Sequence, residues 1–210
     1  MEEMPLIRVI VPVASREVSL LAPDPAWMQA RFQREQDAGL SPEAPYWSRI
    51  WPSARALASW LLNRTAMVAG KDVLELAAGL GLPSFVVAPH AKKVLGSDYL
   101  PDAVMLLERN AAQLGLKNYE ARLLNWNNLP PDLSADILLL SDVNYAPGDF
   151  TDLLTLIERF LGQNTMVILA TPQRIMGAAF IAALDPWIVE ADSDIADGVP
   201  INIYRLENVR

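Results

Sequence analysis

The sequence predicts an α/β fold: a mostly parallel, seven-stranded sheet covered by helices on both faces and closed by an antiparallel C-terminal hairpin. Three observations predict it. From residue 72 onward, short apolar runs alternate with segments of helical spacing. The first of those runs ends in a glycine-bearing turn that opens a helix. The last two strand-like runs have no helix between them, so they should pair antiparallel.

Residues 1–50 form an N-terminal extension punctuated by Pro5, Pro12, Pro23, Pro25, Pro42 and Pro45. Within it, 6–13 and 17–21 flank a polar break and predict a hairpin, and 27–36 a short helix. Residues 51–63 place Trp51, Ala54, Leu57, Ala58, Leu61 and Leu62 at helical spacing, with Pro52 in the first turn. Strands then follow at 72–76, 93–97, 119–124, 136–140 and 166–170. Helices are expected at 83–88, 101–114 (stopped by Gly115), 150–161 (stopped by Gly162) and 173–184. Residues 187–190 and 201–206 supply the final hairpin, joined by a polar connection.

Composition excludes much. The 210 residues, 52% hydrophobic, suit one domain spanning 1–210, with the core at 51–210. A formal charge of −8, with no basic stripe, argues against a nucleic-acid partner. No apolar run reaches the ~20 residues that span a bilayer, and the first twelve residues carry acids where a secretory leader carries bases; a cytoplasmic protein with no membrane partner is expected. There is no cysteine, and His90 is the sole histidine, so thiolate chemistry, Ser–His–Asp chemistry and His- or Cys-ligated metals lack material, and no metal is expected. Carboxylates, aromatics, amides and a bound cofactor remain.

The strongest local signal runs from Val73 to Ser84: a buried strand, then Ala77, Gly79 and Gly81 in a turn, then a helix. Glu75 lies inside the apolar strand, where an unpartnered carboxylate is costly; a ligand or partner meets it, or the turn is merely tight and the acid solvated. Gly79 and Gly81 half-fit a dinucleotide fingerprint, but Pro83 deletes an N–H that a pyrophosphate would use, and Glu75 sits close to where that dianion would lie. S-adenosylmethionine (SAM), with its sulfonium and ammonium, suits an acid there better. Asp98, followed by Tyr99, ends the second strand 23 positions after Glu75, where a carboxylate accepts ribose hydroxyls or caps the helix at 101. Asn125 and Trp126 follow the third strand, placed for an adenine edge and face, although Trp126 equally suits a core position. Ser141, Asp142 and Tyr145 follow the fourth strand, at the carboxyl edge where open α/β sheets bind ligands; Asp142 alternatively caps the helix at 150. A parallel sheet with a terminal hairpin is the Rossmann-like organisation associated with SAM-dependent methyltransferases.

The stretch from Pro45 to Leu62 (PYWSRIWPSARALASWLL) resembles the signature of the family-16 protein methyltransferases, particularly the electron-transfer-flavoprotein β-subunit lysine methyltransferases. The resemblance extends to about Leu161 through the ValLeuGluLeu turn, Asp98, Asn110, Trp126 and the SerAspValAsnTyr stretch. It implies SAM contacts from Trp51, Glu75, Ala77, Gly79, Asp98, Trp126 and Ser141, with Asp142 and Tyr145 near the acceptor. Gly81, Tyr99 and Asn125 join the cofactor-site candidates by position. Three departures stand out: Ala77 at the motif's first glycine, Asn125 where the family often has Asp, and Asn144 where relatives carry an apolar or aromatic residue.

These features predict an enzyme that moves a methyl group from SAM to a nitrogen, leaving S-adenosylhomocysteine. The expected partner is a lysine-containing protein or, alternatively, a small amine. Asp142 and Tyr145 are the catalytic candidates, and Trp47 or Tyr145 offers a ring to the cationic product. Rival readings are a SAM-binding module without turnover and a nicotinamide oxidoreductase. The oligomeric state has no signal in the sequence.

Overall fold

The computed structural model describes residues 3–208; residues 1, 2, 209 and 210, the ends of the expected domain and part of the expected leader-free terminus, lie outside the described residues. The chain opens with a hairpin, β1 (Leu6–Val13) and β2 (Arg16–Pro23), paired in full antiparallel register. Helix α1 (Pro25–Asp37) starts at Asp24, whose carboxylate accepts from Trp27 N at 2.8 Å. A 3₁₀ turn at Pro45–Ser48 leads to α2 (Pro52–Leu62), and a single helical turn, α3 (Thr65–Val68), follows it.

The alternation then unfolds as expected. It runs β3 (Asp72–Glu75), α4 (Leu82–Val87), β4 (Lys93–Asp98), α5 (Pro101–Gln113), β5 (Tyr119–Leu123), β6 (Ile137–Ser141), α6 (Phe150–Gly162) and β7 (Met166–Pro172). After α7 (Ala178–Leu184) come β8 (Ile188–Ala196) and β9 (Val199–Leu206). One sheet holds seven strands in the order β5-β4-β3-β6-β7-β9-β8; β3 to β7 are parallel, and β9 runs antiparallel to β7 and β8.

Strand periodicity explains why both faces are covered. Ile137, Leu139, Ile168 and Ala170 join the cluster under α2 and α4, while their neighbours Leu138, Leu140, Val167 and Leu169 join the cluster under α6 and α7. The hairpin shares the first cluster through Val11, Val13 and Leu20. It is also tied to α5 by Asn110, a fully buried side chain whose Nδ2 donates to Leu21 O at 3.0 Å and whose Oδ1 accepts from Leu21 N at 2.7 Å. That amide does for β2 what a neighbouring strand would do.

Besides the unexpected turn α3, two differences from the sequence reading lie after β7. The expected helix over 173–184 is a 3₁₀ turn at Ile175–Gly177 followed by the short α7. The polar connection expected inside the final hairpin is strand instead: β8 and β9 extend to a two-residue turn at Asp197 and Gly198, both with positive φ (52° and 76°). An Asp-Gly pair is the signature of this tight hairpin turn, whose twist matches that of the strands. β8 is the sheet edge, which tolerates acids: Asp194 is exposed, and Asp192 accepts from Trp60 Nε1 at 3.1 Å and pairs with Arg64 at 3.0 Å.

Candidate active site

The chain leaves β3 toward β4 on one side of the sheet and reaches β6 on the other. That reversal opens a crevice at the carboxyl ends of the strands. A cavity of about 740 Å³ fills it. Trp51, Ala77, Gly79, Gly81, Asp98, Tyr99, Asn125, Trp126, Ser141, Asp142 and Tyr145 all line this cavity. Of the residues proposed from sequence, Glu75 alone does not.

The turn after β3 is built from left-handed residues: Ala77 (φ 51°), Gly79 (52°) and Gly81 (70°). Ala77 adopts at a cost of roughly 1–2 kcal/mol what glycine would adopt freely. Bonds from Ala78 N to Ser97 O (2.9 Å) and Gly81 N to Ala78 O (2.7 Å) over-determine the turn. Asp98, 4% exposed, accepts from Gly79 N at 3.0 Å through Oδ2 and from Leu100 N at 3.1 Å through Oδ1. It therefore braces the turn rather than capping α5 directly, and each oxygen keeps capacity for another donor. Burial raises its carboxyl above the usual range, opposed by these backbone donors.

Glu75 points behind the turn. Its Oε2 accepts from Ser84 N at 3.0 Å, and Ser84 Oγ lies 3.0 Å from the Tyr119 hydroxyl. Tyr119 can reach there because residue 96 is glycine: a Cβ on Gly96 would sit 1.8 Å from that hydroxyl. Desolvation pushes the fully buried Glu75 carboxyl up to about 7, opposed by the Ser84 bonds. In the unfolded chain the group ionises near 4.5, so folding retains a proton that the unfolded state has released. Glu75 thus lowers stability as pH rises from about 4.5 to about 7, by on the order of 3 kcal/mol, with no further change above. Urea unfolding at pH 5 and pH 8 should show wild type losing that much relative to Glu75→Gln, whose amide oxygen still accepts from Ser84 N. Parallel profiles would show that Glu75 does not titrate in this window.

After β6, on the other side of β3 from Asp98, Asp142 sits in left-handed backbone (φ 57°), and its carboxylate meets Arg174 at 2.7 Å. It lies seven residues before Asp149, the residue that precedes α6, and faces Arg174, so it does not cap α6. Burial raises its carboxyl, and the Arg174 guanidinium pulls it back down. The Tyr145 ring packs edge-on against Tyr46 (centroids 5.9 Å apart), and Tyr46 packs likewise against Trp51 (5.8 Å). Trp51 Nε1 donates to Tyr46 O at 2.8 Å, fixing this aromatic row. Trp47 also lines the cavity, packed with Leu80 and Leu106 on the side of the glycine turn. The ring beside Tyr145 is that of Tyr46.

Two other candidates acquire definite places. Asn125 Oδ1 accepts from Asn127 N at 2.9 Å, leaving its Nδ2 for a ligand, and Trp126 is half-buried against the α6-side core while lining the cavity. Asn144, the departure in the loop after β6, is 3% exposed and accepts from Thr171 Oγ1 at 2.6 Å. It ties the loop to β7 and does not line the cavity. Sequence reading missed Glu43, Tyr46, Arg174 and Met176 as cavity residues. Tyr46 lay within the signature stretch; Arg174 had only its position after a parallel strand's carboxyl end to indicate it.

The cavity's chemistry fits SAM. It combines a carboxylate with spare acceptor capacity, an indole, an amide and a close backbone turn. It fits a dinucleotide poorly, because the N–H groups of Ser84 and Phe85 at the start of α4 already serve Glu75 Oε2 and Gly81 O, and Pro83 has none.

Comparison with known proteins agrees with the fold and with a methyltransferase. A family model described as "Lysine methyltransferase" matches residues 44–185. Histone-arginine methyltransferase METTL23 of Homo sapiens is 31% identical over 148 residues, covering 68% of this chain and 74% of that protein. The electron transfer flavoprotein beta subunit lysine methyltransferase of Mus musculus is 32% identical over 133 residues, covering 62% of this chain but 51% of that protein. The chain thus spans between about half and three quarters of these relatives' lengths. Among solved structures, the N-methyltransferase NodS from Bradyrhizobium japonicum WM9, in complex with S-adenosyl-L-homocysteine, shares the fold. Its TM-score is 0.64 at 15% identity, covering 87% of this chain and 99% of that one.

Proposed function

The chain belongs to the lysine methyltransferase family and is a SAM-dependent methyltransferase; on that premise we propose that it methylates a side-chain nitrogen of a protein, lysine foremost. The observation that carries this reading is that Asp142 and the Tyr46–Tyr145 pair line the same cavity as the glycine turn and Asp98.

When bound, SAM supplies a sulfonium methyl open to direct displacement. Asp98 would hold the ribose hydroxyls, Trp126 and Asn125 the base, and the Ala77–Gly81 turn with Trp51 and Ser141 the remainder. The chain's own task is alignment. Asp142 and Tyr145 orient the attacking nitrogen, which must be neutral, and its proton leaves toward solvent. The rings of Tyr46 and Tyr145 offer their faces to the methylated cation.

A second reading, an arginine acceptor, is favoured by the 31% identity over 148 residues to a histone-arginine methyltransferase. Incubating the purified protein with labelled SAM and paired lysine- and arginine-containing peptides, with mass spectrometry of the product, separates the two. Methylation of a small amine alone would remove the protein-acceptor reading, and SAM binding without any methylated product would remove turnover.

Asp98→Ala is expected to weaken SAM binding by about 1.5–3 kcal/mol, since charge-assisted bonds to the ribose and the brace on Gly79 N are lost together. Calorimetry measures it. Unchanged affinity in a folded variant would leave Asp98 as a brace of the turn and nothing more.

A further inference from the structure

The segment after β7 carries two consecutive large apolar side chains in the open: Ile175, 97% exposed, and Met176, 60% exposed. Isolated exposed apolar residues need no explanation. This pair differs because its backbone is pinned at the cavity mouth from both sides. Arg174 points inward to Asp142, Gln173 N donates to Pro200 O at 3.1 Å, and Gln173 Nε2 donates to Asn202 at 3.0 Å. On the far side Gly177 N donates to Arg174 O, and a Cβ at Gly177 would lie 3.4 Å from the buried Asn144 amide. With its ends held, the turn presents Ile175 to solvent while Met176 lines the cavity.

We propose that Ile175 and Met176 form a docking surface for the acceptor protein, receiving an apolar residue that neighbours the target residue in a basic, flexible segment. The proposal rests on the protein-acceptor reading above. A small molecule inside the cavity touches Met176, but Ile175 lies outside the lining, so only an acceptor that extends past the mouth uses it. Charge supports a basic segment. With the Asp142–Arg174 ion pair neutral as a whole, Glu43, Asp98 and Asp149 line the cavity against Arg49, on a chain of net charge −8. The exposed Tyr46 and Tyr145 line the same cavity as Met176.

The test uses two fluorescein-labelled peptides of equal charge, each with one central target residue among arginines and serines, differing only in leucine or serine next to the target. Each is made in lysine and arginine forms. Anisotropy with the full chain and saturating S-adenosylhomocysteine should show the leucine peptide binding about tenfold tighter. Ile175→Ser should reduce that preference to about twofold or less while S-adenosylhomocysteine affinity holds; Met176→Ser should act in the same direction. Equal binding of the two peptides by wild type, or a preference that survives Ile175→Ser, overturns the proposal. Methyl transfer to the same peptides is read separately. A leucine preference in binding with no methylation of any peptide would leave the docking surface standing and sink the protein-acceptor reading instead.

Discussion

Gly79→Val is expected to abolish SAM binding while leaving the sheet intact. Gly79 sits at φ +52°, a region that β-branched residues essentially do not occupy. Space is also lacking, since a Cβ there would lie 2.9 Å from Trp47 O and 3.4 Å from Trp47 Cα. Those atoms are backbone, so relief requires moving either the turn or the Pro45–Ser48 segment. Moving the turn strains the bond from Gly79 N to Asp98 Oδ2, which also disturbs the carboxylate proposed to hold the ribose. Calorimetric SAM titration should show no heat, beside a circular dichroism spectrum like that of wild type. Gly79→Ala adds the same Cβ without branching and should give an intermediate loss. Undiminished binding in a folded Gly79→Val protein would show that this turn is not the cofactor site.

The parts of this molecule legible in its sequence are those governed by local rules. The parallel strands announced themselves as short apolar runs, and the turn residues and helix caps bounded them. Consequently the seven-stranded sheet with its terminal hairpin was readable before any coordinates. The Asp197–Gly198 turn was equally local and was passed over because the flanking strands are polar: Glu190, Asp192 and Asp194 mask the β8 pattern at a sheet edge. Residues 173–184 misled for the opposite reason. Their apolar content suits a helix, but Arg174 is drawn to Asp142, thirty-two positions away, and holds the first turn open. Glu75 shows a third limit. An acid in an apolar strand announces a partner without saying which, and the partner is Ser84 N, on the far side of the turn from the cavity. Candidate site residues at strand ends fell into one crevice because the topology puts every carboxyl end there. Glu43, Tyr46 and Arg174 come from connections whose paths no spacing encodes.

Asp142→Asn is expected to lower kcat by about two orders of magnitude or more, and Tyr145→Phe by about tenfold, with SAM affinity nearly unchanged in both. The substitutions isolate chemistry from shape. Asparagine tolerates the left-handed backbone at φ 57° and offers an oxygen to Arg174, so the loop keeps its form while the charge disappears. Phenylalanine keeps the edge-on contact with Tyr46 and removes the hydroxyl alone. If these groups align the nitrogen in the transition state, kcat and kcat/KM fall together; if they only hold the acceptor beforehand, KM rises alone. A structural role predicts a different pattern. Were Asp142 merely the anchor for Arg174, Asp142→Asn would melt earlier and turn over normally per folded molecule. Running thermal melts beside steady-state methyl transfer therefore decides the matter, and normal kcat in both variants would remove this loop from the catalytic account, leaving Asp142 as the inner anchor of the Ile175–Met176 surface.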